Sequence, residues 1–230
     1  MLGKLTQATP QMCARYTFFK GKVIKDDFGD LPLPDLTPSW NIAPMDFAPV
    51  LLKPKDQWHV LPMRWGLVPG WADESIATKT INARSETVQE KPAFRGAFKC
   101  RRCIVPANGY YEWMGEGRTK QACYIHPSDG ELFHFAGLYE EGGDYDTYTV
   151  ITCDPNEKLI QLHDRMPVIL TREEAEAWVS SYEPSVLQSL LKPCSSELTD
   201  FYPVDNKVGR VSEEGPQLIA RVIPQRSLFD

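Results

Sequence analysis

The hydrophobic positions of this chain fall into short runs rather than long helical stripes. The runs are rich in aromatic and β-branched residues and are bounded by Pro, Gly, Asp or Asn, a pattern typical of β-strands. The predicted strands are Cys13–Phe19, Val50–Lys53, His59–Trp65, Cys103–Val105, Tyr110–Trp113, Cys123–His126, Leu132–Tyr139 and Thr147–Cys153. So many short strands indicate a sheet-rich core.

Helical signals are few and come late in the chain. Thr171 is a predicted N-cap, and Glu174 completes a capping box for a helix over Arg172–Ser180. A second helix is predicted over Ser185–Leu191, before Pro193. Strands followed by a late helical pair predict the α+β class. We therefore expect one sheet-rich, barrel-like domain with antiparallel or mixed strands and a few peripheral helices.

Length and composition fit one large soluble domain. The chain has 230 residues, of which 42% are hydrophobic and 24% are charged. Residues 1–12 show no periodic pattern, so we expect a short N-terminal extension before a domain over 13–230. No apolar run is long enough for a membrane helix, and no secretory signal is visible. These features predict a cytoplasmic protein whose six cysteines are reduced.

The net charge of −6 argues against a protein that coats nucleic acid non-specifically. Basic residues are nevertheless concentrated between Lys79 and Arg102, whereas acidic residues cluster between Glu140 and Asp146. A local basic face and an ordinary solvated surface are equally compatible with this distribution.

Four segments place reactive or charged groups beside turn formers or aromatics: Met12–Tyr16, Ile81–Thr87, Pro106–Trp113 and Leu162–Pro167. Each is weak alone, since a single cysteine such as Cys13 is usually inert and His163 is more often structural than catalytic. Strand alternation predicts that Glu112 lies on the face opposite Tyr111 and Trp113. Partial desolvation there would raise its pKa.

Metal and cofactor chemistry is not indicated. Cys100 and Cys103 have the spacing of half a zinc site, but the sequence holds no second half. Glycine-rich phosphate loops and a serine elbow are also missing. The sequence therefore predicts no metal and no cofactor.

Taken together, the motifs resemble the SOS response-associated peptidase family, whose members shield abasic sites in DNA. The resemblance runs from Cys13 onward through nearly the whole chain. It is carried by Met12–Cys13 with Arg15, Trp40–Pro44, Arg64–Trp71, Asn82–Arg84 with Glu86–Thr87, Arg102–Trp113 and His163–Pro167, and is continued by Tyr202–Val204 and Gly215–Ile219. Ala14 and Ala72 depart from the family, which usually has glycine and a second aromatic there.

The resemblance implies a covalent link between Cys13 and an abasic site in single-stranded DNA. Cys13 would become N-terminal when residues 1–12 are removed or not translated. An N-terminal cysteine is a 1,2-aminothiol, and its α-amine has a pKa of about 8, so part of it is nucleophilic near neutral pH. Reaction with the aldehyde of an abasic sugar would give a thiazolidine.

The same resemblance assigns roles to other residues. His163 would open the sugar ring, Glu112 would transfer protons at the Cys13 amine, and Asn82 would position the sugar. Cys13, Glu112 and His163 would also perform the autoproteolysis that exposes the cysteine, so the enzyme would be a cysteine-type autopeptidase with abasic-site crosslinking or lyase-type activity.

Arg15 and Arg84 match phosphate-contacting arginines of the family, and Trp71 matches an aromatic that packs against bases. The expected partner is single-stranded DNA with abasic sites, without a membrane or an obligatory protein partner. The implied role is in DNA damage and the SOS response, in the cytoplasm and on the nucleoid when bound to DNA.

Two other functions are compatible with the residues. In a cysteine peptidase acting on other proteins, Cys13 would be an internal nucleophile and His163 its base. In a non-covalent single-stranded DNA-binding module, Cys13 would be dispensable, although the acidic balance weighs against binding by charge alone.

Overall fold

The structure is a computed structural model that describes residues 14–29, 31, 37–115, 117 and 120–223. The predicted strand residue Cys13 and the extension 1–12 lie outside these ranges. The strands are β1 (Tyr16–Phe18), β2 (Ser39–Ile42), β3 (Phe47–Leu52), β4 (His59–Trp65), β5 (Asn82–Arg84), β6 (Arg102–Ala107), β7 (Gly109–Met114), β8 (Gln121–Pro127), β9 (Phe133–Glu140), β10 (Thr147–Cys153), β11 (Met166–Pro167), β12 (Ile169–Leu170) and β13 (Thr199–Pro203). The helices are α1 (Gly21–Phe28), α2 (Arg95–Cys100), α3 (Arg172–Ser180) and α4 (Pro184–Leu190).

Five strands close into a barrel. Each strand pairs with the next in the order β10, β4, β3, β6, β9, and β9 returns to pair with β10. The β10–β4 pair is parallel and the other four are antiparallel, so the ring is mixed. The prediction of an α+β, barrel-like domain with peripheral helices is confirmed.

A second, fully antiparallel sheet has the strand order β13–β8–β7–β1–β2. Tyr16 of β1 joins it to the barrel. The Tyr16 ring packs edge-on against Trp65 and Phe135 of the barrel core. Its hydroxyl lies 2.6 Å from that of Tyr148. Because burial raises the pKa of both phenols far above the usual range, this buried contact is a neutral hydrogen bond.

The predicted helices are present with small changes. The capping box of α3 is confirmed, since the Thr171 hydroxyl accepts from the Glu174 amide and the Glu174 carboxylate accepts from the Thr171 amide. The second helix begins at Pro184 rather than Ser185 and ends at Leu190, because proline is favoured in the first helical turn.

Several predictions of element bounds and existence were wrong. The predicted strand Val50–Lys53 begins at Phe47, because the whole segment pairs with β4. The predicted strand Cys13–Phe19 is a strand only over Tyr16–Phe18 among its described residues. The sequence did not predict β2, β5, β11, β12, β13, α1 or α2.

Arg102, the last of the basic residues that are concentrated in the sequence between Lys79 and Arg102, is not part of an exposed basic face. It is buried, and its guanidinium donates to the carbonyls of Phe98, Lys99, Trp178 and Ser181 at 2.5–2.8 Å. Carbonyls at the C-terminal ends of helices lack helical partners and carry partial negative charge. Arg102 therefore fastens the ends of α2 and α3 to the barrel.

Barrel closure makes a steric prediction at Gly137 of β9. A Cβ there would lie 2.9 Å from the Cys103 sulfur and 3.0 Å from the Thr149 carbonyl oxygen. Gly137→Ala is expected to lower the free energy of unfolding by about 1–3 kcal/mol, as measured by urea denaturation. Gly143→Ala is the control, since no atom lies within 4 Å of its added Cβ. Equal stabilities of the two variants would contradict close packing around Gly137 in the closed barrel.

Candidate functional site

Two of the motifs singled out from the sequence flank the same strand, β10. Along one edge Asn82 pairs with Val150, and Arg84 pairs with Thr152. On the other edge Thr152 pairs with Pro167, the last residue of the His163 motif. The end of β10 therefore brings together two segments that are distant in sequence.

Arg165 holds this junction together. Its buried guanidinium makes a two-pronged ion pair with the Glu86 carboxylate at 2.6 and 2.9 Å. It also donates to the Asp154 carboxylate at 2.9 Å and to the Thr152 carbonyl at 2.7 Å. Burial opposes both charges, yet the ion pair outweighs it: the pKa of Arg165 is raised and that of Glu86 is lowered.

His163 follows a turn, and its backbone amide donates to the Leu159 carbonyl at 3.2 Å. Its Nδ1 accepts from the Arg165 amide at 3.1 Å and lies 2.9 Å from a carboxylate oxygen of Asp164. One nitrogen cannot accept from an amide and donate to a carboxylate at once. A neutral ring that accepts from Arg165 carries its proton on Nε2, whereas a neutral ring that donates to Asp164 carries it on Nδ1.

The start of the described chain lies beside β7. The Tyr111 amide donates to the Arg15 carbonyl at 3.0 Å, in register with the Tyr16–Tyr110 pair. One more step of this antiparallel register places Ala14 opposite Glu112. The continued register thus brings Ala14, the residue after Cys13, next to the predicted proton-transfer group.

Glu112 is buried, with 5% of its surface exposed. Tyr110, two residues before it and on the same face, belongs to the main core, whereas Tyr111 and Trp113 pack in a smaller cluster on the other side of the sheet. The prediction that Glu112 faces away from these two rings is confirmed. Its raised pKa stays a prediction.

Neither thiol placed near these groups is a good nucleophile. Cys123 pairs with Glu112 in the β7–β8 register, and burial raises its pKa to about 11. Cys153 ends β10, and burial raises its pKa to about 12. Near neutral pH both are almost entirely thiols rather than thiolates. Cys13 lies outside the described residues.

The residues predicted to bind DNA differ in exposure. Arg15 is half-buried: it donates to the Ala14 and Gly209 carbonyls, and burial lowers its pKa against the opposing effect of Asp46. Arg84 is exposed at the edge of β10.

The side chain of Trp71 is 67% exposed. With Pro92, Arg95, Gly96 and Lys99 it lines an open depression of about 460 Å³. The indole therefore offers a face on which a flat ring can stack.

The structure places Asn82, Arg84 and His163 around β10, and Arg15 and Glu112 on the second sheet. Their functional roles stay predictions. Sequence reasoning missed the ion pair of Arg165 with Glu86 and Asp154. The opposite charges of Glu86 and Arg165, each within a family motif, were the available signal, but 79 residues separate the two.

In the described ranges, no three His, Cys, Asp or Glu residues are grouped to hold a metal ion. Nor is any helix there long and apolar enough to cross a membrane.

Residues 12–211 match the sequence model of the family described as SOS response associated peptidase (SRAP). The chain belongs to the SRAP family. The motif resemblance is therefore confirmed over most of the chain.

Relatives of this SRAP chain extend across bacteria. It is 40% identical to "Abasic site processing protein YoqW" of Bacillus subtilis, covering 90% of this chain and 99% of the relative. It is 30% identical to "Abasic site processing protein YedK" of Escherichia coli, covering 84% and 89% of the two chains. A crystal structure of a Bacteroides thetaiotaomicron protein is similar with a TM-score of 0.78 and 31% identity, over 92% of this chain and 100% of the other.

The Arg165–Glu86 pair makes a pH-dependent prediction. A carboxylate whose pKa is lowered by folding adds stability above its unfolded pKa of about 4.3, and that stability is lost as the pH falls through the folded value. Because Glu86 is partly exposed, Glu86→Gln is expected to cost only about 1 kcal/mol at pH 7. Denaturation curves should show this difference shrinking below about pH 4. The exposed Glu90→Gln is the control, and a difference that persisted unchanged at low pH would exclude the ion pair as its cause.

Proposed function

We propose that the protein processes abasic sites by forming a thiazolidine crosslink between Cys13, as N-terminal residue, and an abasic site in single-stranded DNA. The observation that carries this proposal is the β1–β7 register, in which the Tyr111 amide donates to the Arg15 carbonyl. Continued by one residue, this register places Ala14 opposite the buried Glu112. Membership of the SRAP family and relatives named abasic site processing proteins support it.

The crosslinking chemistry is a condensation. The neutral amine of Cys13 attacks C1′ of the ring-opened sugar, and the adduct loses one water to give a Schiff base. The Cys13 sulfur then adds to the same carbon, and its proton passes to the nitrogen. The thiazolidine no longer contains the C=N bond that drives β-elimination, so the DNA strand stays intact.

The side chains of the site divide this work. A buried carboxylate such as Glu112 can take a proton from the attacking amine and return one to the departing hydroxyl. His163 donates a proton to the ring oxygen as the sugar opens. Asn82 holds the sugar through its amide. Each group lies on a strand or turn anchored by register or by Arg165.

Exposure of Cys13 is a hydrolysis. The Cys13 thiol attacks the Met12 carbonyl carbon, the Met12–Cys13 C–N bond breaks as the amine takes up a proton, and water then hydrolyses the resulting thioester, which releases residues 1–12 and restores the thiol. Glu112 and His163 transfer the protons. The same site then serves autopeptidase and crosslinking steps. We place both in the cytoplasm, and on the nucleoid once DNA is bound.

Single-stranded DNA fits the charged and aromatic groups on the surface. Arg84 and Arg15 would contact phosphates, and the exposed Trp71 would stack on a base. Stacking accepts every base, so the protein would recognise the lesion rather than the flanking sequence.

Intact mass tests the crosslink. The protein is incubated with a single-stranded oligonucleotide carrying one abasic site. The expected product begins at Cys13 and gains the oligonucleotide mass less one water. Cys13→Ala should abolish it, whereas Cys100→Ala, which removes an exposed cysteine, should leave the yield unchanged. A chain that retains residues 1–12 and stays unmodified, or a Cys13→Ala variant that still crosslinks, would overturn the proposal.

The role of Glu112 is tested by rate. Glu112→Gln keeps the shape of the side chain but removes proton transfer, so crosslinking should slow by about 10²–10⁴-fold. Affinity for intact single-stranded DNA should stay unchanged, since no phosphate contact is lost. Glu131→Gln, on an exposed turn, is the matched control. A Glu112→Gln rate within twofold of the unmodified protein would assign the proton transfer elsewhere.

A further inference from the structure

In the part of the chain that the structure describes, the exposed cations between residues 79 and 99 have no carboxylate partners. Some arginines elsewhere do have such a partner, as Arg64 has Glu74 and Arg101 has Glu140. Within the described residues no carboxylate lies within ion-pair distance of the following exposed side chains: Lys79, Arg84, Lys91, Arg95 and Lys99. In a chain with a net charge of −6, this concentration of unpaired positive charge marks a surface for an anion.

Two of these cations lie beside Trp71. Arg95 and Lys99 are four residues apart on α2, so their side chains emerge from one face of the helix. They line the 460 Å³ depression together with the exposed indole. A cationic wall facing an aromatic plane is the combination that binds a nucleotide of a single strand, with phosphate on the cations and base on the ring.

The other side of the same turn has the opposite charge. Val68, Pro69, Gly70 and Ala72 line a second depression of about 340 Å³, together with the carboxylates of Glu74, Glu141 and Asp144. Glu74 is held there by Arg64 and the Tyr145 hydroxyl, each at 2.5 Å. The turn that carries Trp71 therefore separates a basic depression from an acidic one.

We propose that the depression formed by Trp71, Arg95 and Lys99 is a nucleotide subsite that takes single-stranded DNA flanking the lesion. The acidic depression repels the phosphate backbone, so the strand crosses the turn on the α2 side. This inference rests on the proposed function for its ligand. It goes further by assigning Arg95 and Lys99 as binding residues and by placing the DNA on the α2 side of the turn, neither of which the crosslinking chemistry requires.

Binding to undamaged DNA tests the subsite separately from the crosslink. The full chain carrying Cys13→Ala is titrated with oligothymidylate at several salt concentrations. Adding Arg95→Gln and Lys99→Gln is expected to weaken binding about 10-fold at low salt and to reduce the slope of log affinity against log salt by about 1.4, since each phosphate contact on a single strand contributes about 0.7. Trp71→Leu should weaken binding without changing the slope.

A matched control removes the same charge elsewhere. Lys20 follows β1 at the end away from Ala14, and Lys55 lies in the β3–β4 turn at the end away from Arg64. Lys20→Gln with Lys55→Gln should change affinity less than twofold. Thermal unfolding of each variant establishes that it is folded before its affinity is compared.

The outcomes separate the two proposals. If both double variants weaken binding equally, or neither does, the subsite is wrong, whether or not the unmodified protein crosslinks. If the Arg95 and Lys99 variant alone loses affinity and salt dependence, the subsite stands, even where the unmodified protein fails to crosslink an abasic oligonucleotide and the covalent function falls.

Discussion

The buried guanidinium of Arg165 is the interaction on which the candidate site most depends. Removing a charge from water costs several kcal/mol unless paired charges and hydrogen bonds offset it, and Arg165 has Glu86, Asp154 and the Thr152 carbonyl. Together with Arg165 itself, these partners come from three segments of the chain. Because the cation requires all of them, the segment that carries Arg84 and the turn that carries His163 have fixed places at the end of β10. A neutral residue at position 165 would leave the segments in contact but remove the ion pair and hydrogen bonds that align them.

The two sheets contribute differently to the site. The closed barrel supplies Asn82, Arg84 and His163 through the edges of β10, where ring closure leaves little freedom. The second sheet supplies Glu112 and the strand next to Cys13 through the β1–β7 register. A register shift of one residue would turn Glu112 to the opposite face of the sheet. The backbone hydrogen bonds of β7 therefore keep the Glu112 carboxylate on the face that packs against the core.

The sequence predicted the strands whose hydrophobic pattern is self-contained. Thr147–Cys153 is the strand β10 with the predicted bounds, and His59–Trp65 is β4. The short strands β5, β11 and β12 were missed because two or three residues carry no periodicity and pair only in the tertiary structure. The sequence left open whether Arg102 belongs to a basic face, because a sequence does not reveal that helix ends converge on a residue. The site residues came from family motifs, whereas the grouping of Asn82, Arg84 and His163 around β10 required the fold.

The paired hydroxyls of Tyr16 and Tyr148 make the contact between the two sheets less stable at alkaline pH. Both phenols are fully buried, and burial raises the pKa of each well above the ordinary value near 10. Raised values in the folded state mean that the neutral hydroxyls contribute stability at any pH below 10, and that this contribution declines as the pH rises further. Tyrosinate absorbs ultraviolet light at longer wavelengths than tyrosine. These two phenols therefore add to the tyrosinate absorbance only when the barrel and the second sheet separate.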